Sequence, residues 1–122
     1  MRKEKSTSLD FIIDKLTNSI QNTISGDSFA TEVSRFTKAD VKQCLRKNGW
    51  NFDWKQELEN NVREVYKLTI YNNPTIIQGL LSFSVKADHI YMDLLESAPF
   101  NLGRNKLYEG VPGNLVAYAC KV

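Results

Sequence analysis

The chain contains few of the residues that build metal centres and nucleophilic sites. Its 122 residues include one histidine, His89, and two cysteines, Cys44 and Cys120, which lie far apart and form no Cys-x-x-Cys or Cys/His cluster. Nothing in this spacing supports a zinc site that would join the three to a carboxylate. It favours two reduced, partly buried thiols over a disulfide. We therefore expect no metal cofactor.

The chain also lacks a charge excess and a long apolar run. Its 16 basic side chains face 14 acidic ones, for a net charge of +2, which gives no electrostatic reason to expect a nucleic-acid partner. No apolar segment is long enough to cross a bilayer, and no continuous apolar core of a secretion signal follows the basic start Met1–Lys5. These absences predict a cytoplasmic protein with no membrane partner.

The composition is that of one ordinary globular domain. Hydrophobic residues make up 42% of the chain and charged residues 25%, and no repeat or low-complexity linker interrupts residues 1–122. Residues 1–25 are predicted to form an N-terminal amphipathic helix. Thr7-x-x-Asp10 can cap it, and apolar side chains recur at three- and four-residue steps through Ile20.

The middle of the chain predicts a strand followed by two short helices. Residues 29–36 alternate in the manner of a first strand. Thr37-x-x-Asp40 then opens a helix that Asn48-Gly49 closes, with Cys44 among its inward residues. Asp53 can cap a short helix that runs through Val62. The aromatic residues of this region are typical of a core or of a lid over a groove: Trp50, Phe52 and Trp54.

Three consecutive segments predict an antiparallel meander. They are residues 64–71, 76–85 and 88–96, with Asn72-Asn73-Pro74 as the first turn. In the third segment, Ile90, Met92 and Leu94 are expected to share one face. Gly79 has no side chain to pack, which suggests a bulge or a close neighbour in the middle strand.

A loop that contains glycine leads from the last strand into a final helix. It reads Tyr108-Glu109-Gly110-Val111-Pro112-Gly113-Asn114. Unpaired backbone N–H groups at the positive end of a helix dipole are a general way to hold a phosphate or pyrophosphate. Gly-Val-Pro-Gly is also an ordinary loop sequence, so turn chemistry alone leaves both interpretations open.

The surrounding residues add a family resemblance. The resemblance rests on four segments: Tyr66-Lys67-Leu68-Thr69-Ile70, Ile77-Gln78-Gly79-Leu80, Glu96-Ser97-Ala98-Pro99 and Tyr108 through Cys120. Over roughly residues 28–122 the chain resembles a bacterial group of the GNAT N-acetyltransferase superfamily. The resemblance implies an α+β (α/β) fold, in which a GNAT-like mixed sheet has a central antiparallel meander and flanking helices. It also implies transfer of an acetyl group from acetyl-CoA to a small-molecule or protein amine.

The resemblance further implies a set of site residues. The acetyl thioester carbonyl would be polarised by backbone N–H groups near Leu94, Leu95 and Glu96, and Glu96 would take the proton of the amine. The pyrophosphate would lie on the backbone of the final loop and helix, at Tyr108, Glu109, Gly110, Val111, Gly113, Asn114 and Leu115. In the family's loop pattern, Leu107 replaces the usual Arg or Gln, and Pro112 removes one N–H donor.

The resemblance also implies that C-terminal strands and a helix are missing, so the chain is interpreted as a truncated member or a fragment. A sheet that ended at the third meander strand would expose an edge, which favours a homodimer in which each chain covers the other. The alternative function is a non-catalytic binding or structural module that self-associates. Its contact surface would be the aromatics at 50–54 and the N-terminal helix. The acceptor amine cannot be identified from these residues.

Overall fold

The computed structural model describes residues 19–87 and 89–121, which form an α+β domain. The strands are β1 (Ser19–Asn22), β2 (Ser28–Arg35), β3 (Glu64–Ile70), β4 (Gly79–Val85), β5 (Ile90–Ser97) and β6 (Tyr108–Glu109). The α-helices are α1 (Trp54–Glu59) and α2 (Val111–Lys121), and 3₁₀ turns cover Lys38–Gln43, Arg46–Asn48 and Pro99–Asn101.

The strands form one sheet in the order β5-β4-β3-β2-β1-β6. The α+β class is confirmed, and so is the antiparallel meander, formed by β3, β4 and β5. The mixed sheet expected from the resemblance is not seen, because every strand pairing in the described part of the chain is antiparallel.

The sheet separates two hydrophobic cores. The first core lies under α1 and the 3₁₀ turns and consists of Phe36, Cys44, Trp50, Trp54, Val65, Ile77, Leu80 and Ala98. The second lies under α2 and consists of Ile20, Leu68, Leu81, Phe83, Val111, Leu115 and Ala119. Successive residues of β4, Leu80 and Leu81, belong to different cores, as the two-residue period of a strand requires.

The predicted N-terminal helix is wrong where the structure can test it. Its residues 1–18 lie outside the described part of the chain. Ser19–Asn22 form strand β1, which pairs with both β2 and β6 and buries Ile20 to 1% exposure. A turn follows in which the Asn22 side chain accepts hydrogen bonds from the N–H groups of Ile24 and Ser25. At Ile20, long-range strand pairing has therefore overridden the helical spacing.

The capping signals between β2 and β3 lie where the sequence predicts them. The Asp40 carboxylate accepts from the backbone N–H of Thr37 at 2.8 Å, although the turn it opens is 3₁₀ rather than α. Gly49 ends this region with φ of +100°, a conformation that favours glycine. Asp53 caps α1 through the N–H of Gln56. The helix stops at Glu59, three residues before the predicted end.

A bulge in β5 changes the faces predicted for that strand. Ser82 pairs with Leu94 and Phe83 with Met92, so Asp93 is an extra residue on β5. After the bulge the alternation of faces is reset. Leu94 consequently packs on the first core, whereas Ile90 packs on the second. The prediction that Ile90 and Leu94 share a face is wrong.

Candidate functional site

The first turn of α2 lies directly on the end of the meander, and Gly79 makes this approach possible. A Cβ placed on Gly79 would lie 2.7 Å from Val111 Cγ1 and 3.0 Å from Leu115 Cδ1. It would also lie 3.2 Å from the backbone oxygen of Glu96 on the neighbouring strand. The sequence left open either a bulge or a close neighbour at Gly79, and the structure shows a close neighbour. The start of α2 and the end of β5 therefore lie at the same corner of the sheet.

Two residues fix the entry into α2. Gly110 has φ of +99°, which turns the chain from β6 into the helix at a position that favours glycine. Asn114 is 3% exposed, and its side-chain amide donates to the backbone oxygens of Ser19 and Gly110 at 2.9 and 2.8 Å. Its side-chain oxygen accepts from the Thr31 hydroxyl at 2.7 Å. The buried amide thus holds the start of α2 against β1 and β2.

Only some of the backbone N–H groups in residues 108–114 lack a hydrogen-bond partner. The Tyr108 N–H donates to the Asn101 side chain at 3.0 Å, and Glu109 pairs with Gln21 of β1. The Asn114 N–H donates to the Gly110 oxygen at 3.0 Å. In the first turn of a helix, N–H groups have no acceptor within the helix. Because Pro112 has no N–H, the donors that remain at this end are those of Val111, which is 1% exposed, and of the exposed Gly113.

Gly113 is the exposed part of the first turn of α2. Apart from its chain neighbours and the backbone of its own helix, no atom lies within 4 Å of the position that a Cβ on Gly113 would take, and Pro112 beside it is exposed. An anion that approaches this end of α2 would meet the Gly113 N–H and the positive end of the helix dipole without displacing a side chain at that position.

The last residues of β5 add a second set of backbone donors at the same corner. The Ala98 N–H donates to Gln78, and Gly79 pairs with Ser97 and Leu81 with Leu95. Bonded and non-bonded pairs alternate in an antiparallel ladder, so the N–H groups of Leu95 and Ser97 point away from β4. Within the described ranges, β5 has no strand on its other side.

Glu96 lies on the other face of the sheet from α2. It is 6% exposed, and its carboxylate accepts three hydrogen bonds. The donors are the N–H groups of Asn51 at 2.6 Å and Phe52 at 3.2 Å, and the Trp54 indole Nε1–H at 2.8 Å. Glu96 therefore fastens the segment that starts α1 to the end of β5.

The structure thus brings together part of the predicted site. The backbone of Leu95 and of residues 110–113 lies around one corner, and Leu115 is buried beneath it. The side chains of Leu94 and Glu96 lie on the opposite face, toward the first core. Tyr108 and Glu109 belong to strand β6.

Asn101 is a site-forming residue that the sequence did not reveal. It is 5% exposed, and its amide donates to the backbone and side-chain oxygens of Gln78 at 3.2 and 2.9 Å. Together with its bond from Tyr108, this ties the loop after β5 to β6 and to the residue just before β4. An asparagine in a polar loop carries no periodic signal, so only the fold identifies its role.

The two thiols have different surroundings. Burial, helped by the nearby negative charges of Asp40 and Glu96, raises the pKa of Cys44 to about 12. Cys120 is exposed on α2, and both cysteines are free. The described residues contain no cluster of three or more side chains suited to a metal ion. None of the helices in residues 19–87 and 89–121 is long and apolar enough to cross a membrane.

Comparison of the chain with protein-family models, with curated proteins and with solved structures finds no match in any of the three.

Proposed function

We propose that the protein binds acetyl-CoA at the corner formed by α2 and β5 and acts as a GNAT-like N-acetyltransferase toward an amine. The observation that carries the proposal is the seating of α2 on Gly79. This seating brings the free N–H groups at the start of α2 next to the end of β5. A strand that leads through a glycine turn into a helix is a common anion-binding arrangement.

The two donor sets suit two parts of the cofactor. The N–H group of the exposed Gly113, with the helix dipole, offers positive potential to a pyrophosphate. The outward N–H group of the half-buried Leu95 can pair with an extended ligand that carries amide groups, in the manner of an added strand. A thioester carbonyl that accepts from this N–H group would be polarised for attack by an amine.

A bulge at Asp93 lies on the same strand, four residues before Ser97. A bulged residue interrupts the regular ladder of β4 and β5, and bulges occur preferentially next to active sites. The resemblance to the superfamily over roughly residues 28–122 is the basis on which this strand and helix were chosen.

The role of Glu96 as proton acceptor stays a prediction. Its contacts favour a second candidate function, a binding module of the same fold that does not transfer the acyl group. Both carboxylate oxygens of Glu96 already accept hydrogen bonds, so proton transfer from an amine would need this arrangement to open. Self-association through the free edge of β5 belongs to this second candidate.

Calorimetric titration with acetyl-CoA tests the binding step, and release of free CoA with a panel of amines tests transfer. Binding with a micromolar Kd, together with release of CoA, supports the enzyme. Binding without release of CoA supports the binding module. No heat at millimolar acetyl-CoA would remove both versions of the CoA site. Light scattering on the same sample tests the homodimer against a monomer of 14.0 kDa.

A pair of variants at Gly113 makes the titration specific for the first turn of α2. Gly113→Glu adds a negative charge where the pyrophosphate would lie and should weaken acetyl-CoA binding at least tenfold. A glutamate in the first turn of a helix is favourable for folding, so the variant should remain stable. Gly113→Ala is the matched control, because the space is open and alanine improves helix propensity. It should bind acetyl-CoA nearly as well as the parent protein.

A further inference from the structure

A concave surface lies on the outer side of the first core, away from α2. It is a groove of about 760 Å³ between the 3₁₀ turn at Lys38–Gln43 and helix α1. We call it the lysine groove. The residues that line it are Lys38, Ala39, Val41, Lys42, Leu45, Lys55, Leu58 and Glu59.

The floor of the lysine groove is apolar and accessible. Three half-buried side chains form the floor: Val41, Leu45 and Leu58. Val41 and Leu58 also pack against the first core. Partly exposed aliphatic side chains at the bottom of a groove gain free energy when a ligand removes them from water.

The rim carries mostly positive charge. Lys38, Lys42 and Lys55 are exposed, and the only acid of the lining, Glu59, lies 4.0 Å from Lys55 in a solvated contact. Neither Lys38 nor Lys42 forms an ion pair within the described ranges. Asp40, between them in sequence, is directed to Lys67, whose Nζ lies 2.9 Å from its Oδ2.

We propose that the lysine groove binds an acidic amphipathic helix of a partner protein. We choose this occupant because of the positions of the positive charges. Lys38 and Lys42 are four residues apart on one bank, and Lys55 stands on the other, so several separate anions are needed to match them. An amphipathic helix presents apolar side chains to a floor and carboxylates to both banks at once.

Two other occupants fit less well. A fatty acid has a single carboxylate, and it would leave most of the rim unmatched. A nucleic acid would find aliphatic side chains on the floor, where base stacking calls for aromatic ones. Both therefore become outcomes of the test.

The probe is a fluorescent synthetic peptide of about fifteen residues, with leucines on one helical face and glutamates on the other. We expect saturable binding in fluorescence anisotropy that weakens as salt is raised. Amide shifts in NMR spectra should fall on residues 38–45 and 55–59. A peptide with lysines in place of the glutamates should not bind.

Charge reversal at the rim makes the test specific. The double variant Lys38→Glu with Lys42→Glu should weaken peptide binding roughly tenfold, because two rim attractions become repulsions. The matched control is Lys47→Glu with Lys86→Glu, two exposed lysines outside the lining with the same change of net charge. The control should bind the peptide at close to parental affinity.

Three results would overturn the proposal. The first is equal loss in the rim variant and the control, which would show attraction by net charge alone. The second is a peptide that shifts amides only outside the lysine groove. The third is dodecanoate or a single-stranded oligonucleotide that binds at the groove while the acidic peptide does not. Circular dichroism of both double variants separates a loss of fold from a loss of binding.

Discussion

Replacing Glu96 by glutamine tests the most specific structural claim about the predicted site, namely that this carboxylate holds two parts of the fold together. The carboxylate accepts from three N–H groups, those of Asn51, Phe52 and the Trp54 indole, in a setting where Glu96 is 6% exposed. Glutamine keeps the shape, but it replaces one acceptor oxygen by an NH₂ group that faces a donor.

The expected cost follows from these contacts. A buried donor left without an acceptor costs about 1–3 kcal/mol, and the remaining bonds lose the contribution of the negative charge. We therefore expect Glu96→Gln to lower the free energy of unfolding by about 2–4 kcal/mol. For a chain of this size that corresponds to a decrease in Tm of roughly 6–20 °C.

Urea unfolding followed by tryptophan fluorescence is the assay, because Trp54 itself donates to Glu96. The matched control is Glu32→Gln, an exposed glutamate on β2, which should change stability by less than about 0.5 kcal/mol. If Glu96→Gln were as stable as this control, the clamp between α1 and β5 would not contribute as described. Below its Tm, the variant should still bind acetyl-CoA, because the side chain faces away from α2.

Three further predictions concern packing, thiol reactivity and pH. Gly79→Ala should destabilise the protein by about 1–3 kcal/mol in urea unfolding, because its new methyl group would lie 2.7 Å from a Val111 methyl group. Stability equal to the parent protein would contradict the close approach of α2. Cys120 should react with Ellman's reagent at pH 8 while Cys44, whose pKa burial raises to about 12, should react only after unfolding. Rapid reaction of both thiols in the folded protein would contradict this. Burial by itself raises the pKa of Asp40, but hydrogen bonds from Lys67 and Thr37 outweigh it and lower the pKa below that of an ordinary aspartate. The lowered pKa adds stability that is fully present at pH values above the pKa of Asp40 in the unfolded chain. This stability is lost as the pH falls through the lower pKa of Asp40 in the folded protein. Asp40→Asn should therefore reduce the dependence of stability on pH below about pH 4, and an unchanged acid profile would refute the assignment.

Local signals in the sequence predicted the local parts of the fold. The alternation in residues 64–71 and the Asn72-Asn73-Pro74 turn need only neighbouring residues, and the meander forms accordingly. The Asp53 cap and the Gly49 turn follow from backbone preferences at single positions. Gly79 was also informative, because a strand position without a side chain suits a close neighbour.

The features that the sequence did not predict depend on distant residues. Strand β1 forms because Ser19–Asn22 gain partners on both sides, and the partner on β6 lies almost ninety residues away. The bulge at Asp93 is set by the register of β5 on β4, which alternation alone cannot reveal. The partners of Glu96 come from residues 51–54, so its burial and contacts could not be read from its position at a strand end.

The central claim is that the start of α2 and the end of β5 form one binding corner, and NMR titration with acetyl-CoA tests it most directly. We predict that the largest amide shifts fall on Leu95, Ser97, Val111 and Gly113, and that Gly113→Glu abolishes them at the same ligand concentration while Gly113→Ala keeps them. Absence of shifts at these four amides at millimolar acetyl-CoA, or shifts confined to other parts of the sheet, would contradict the account.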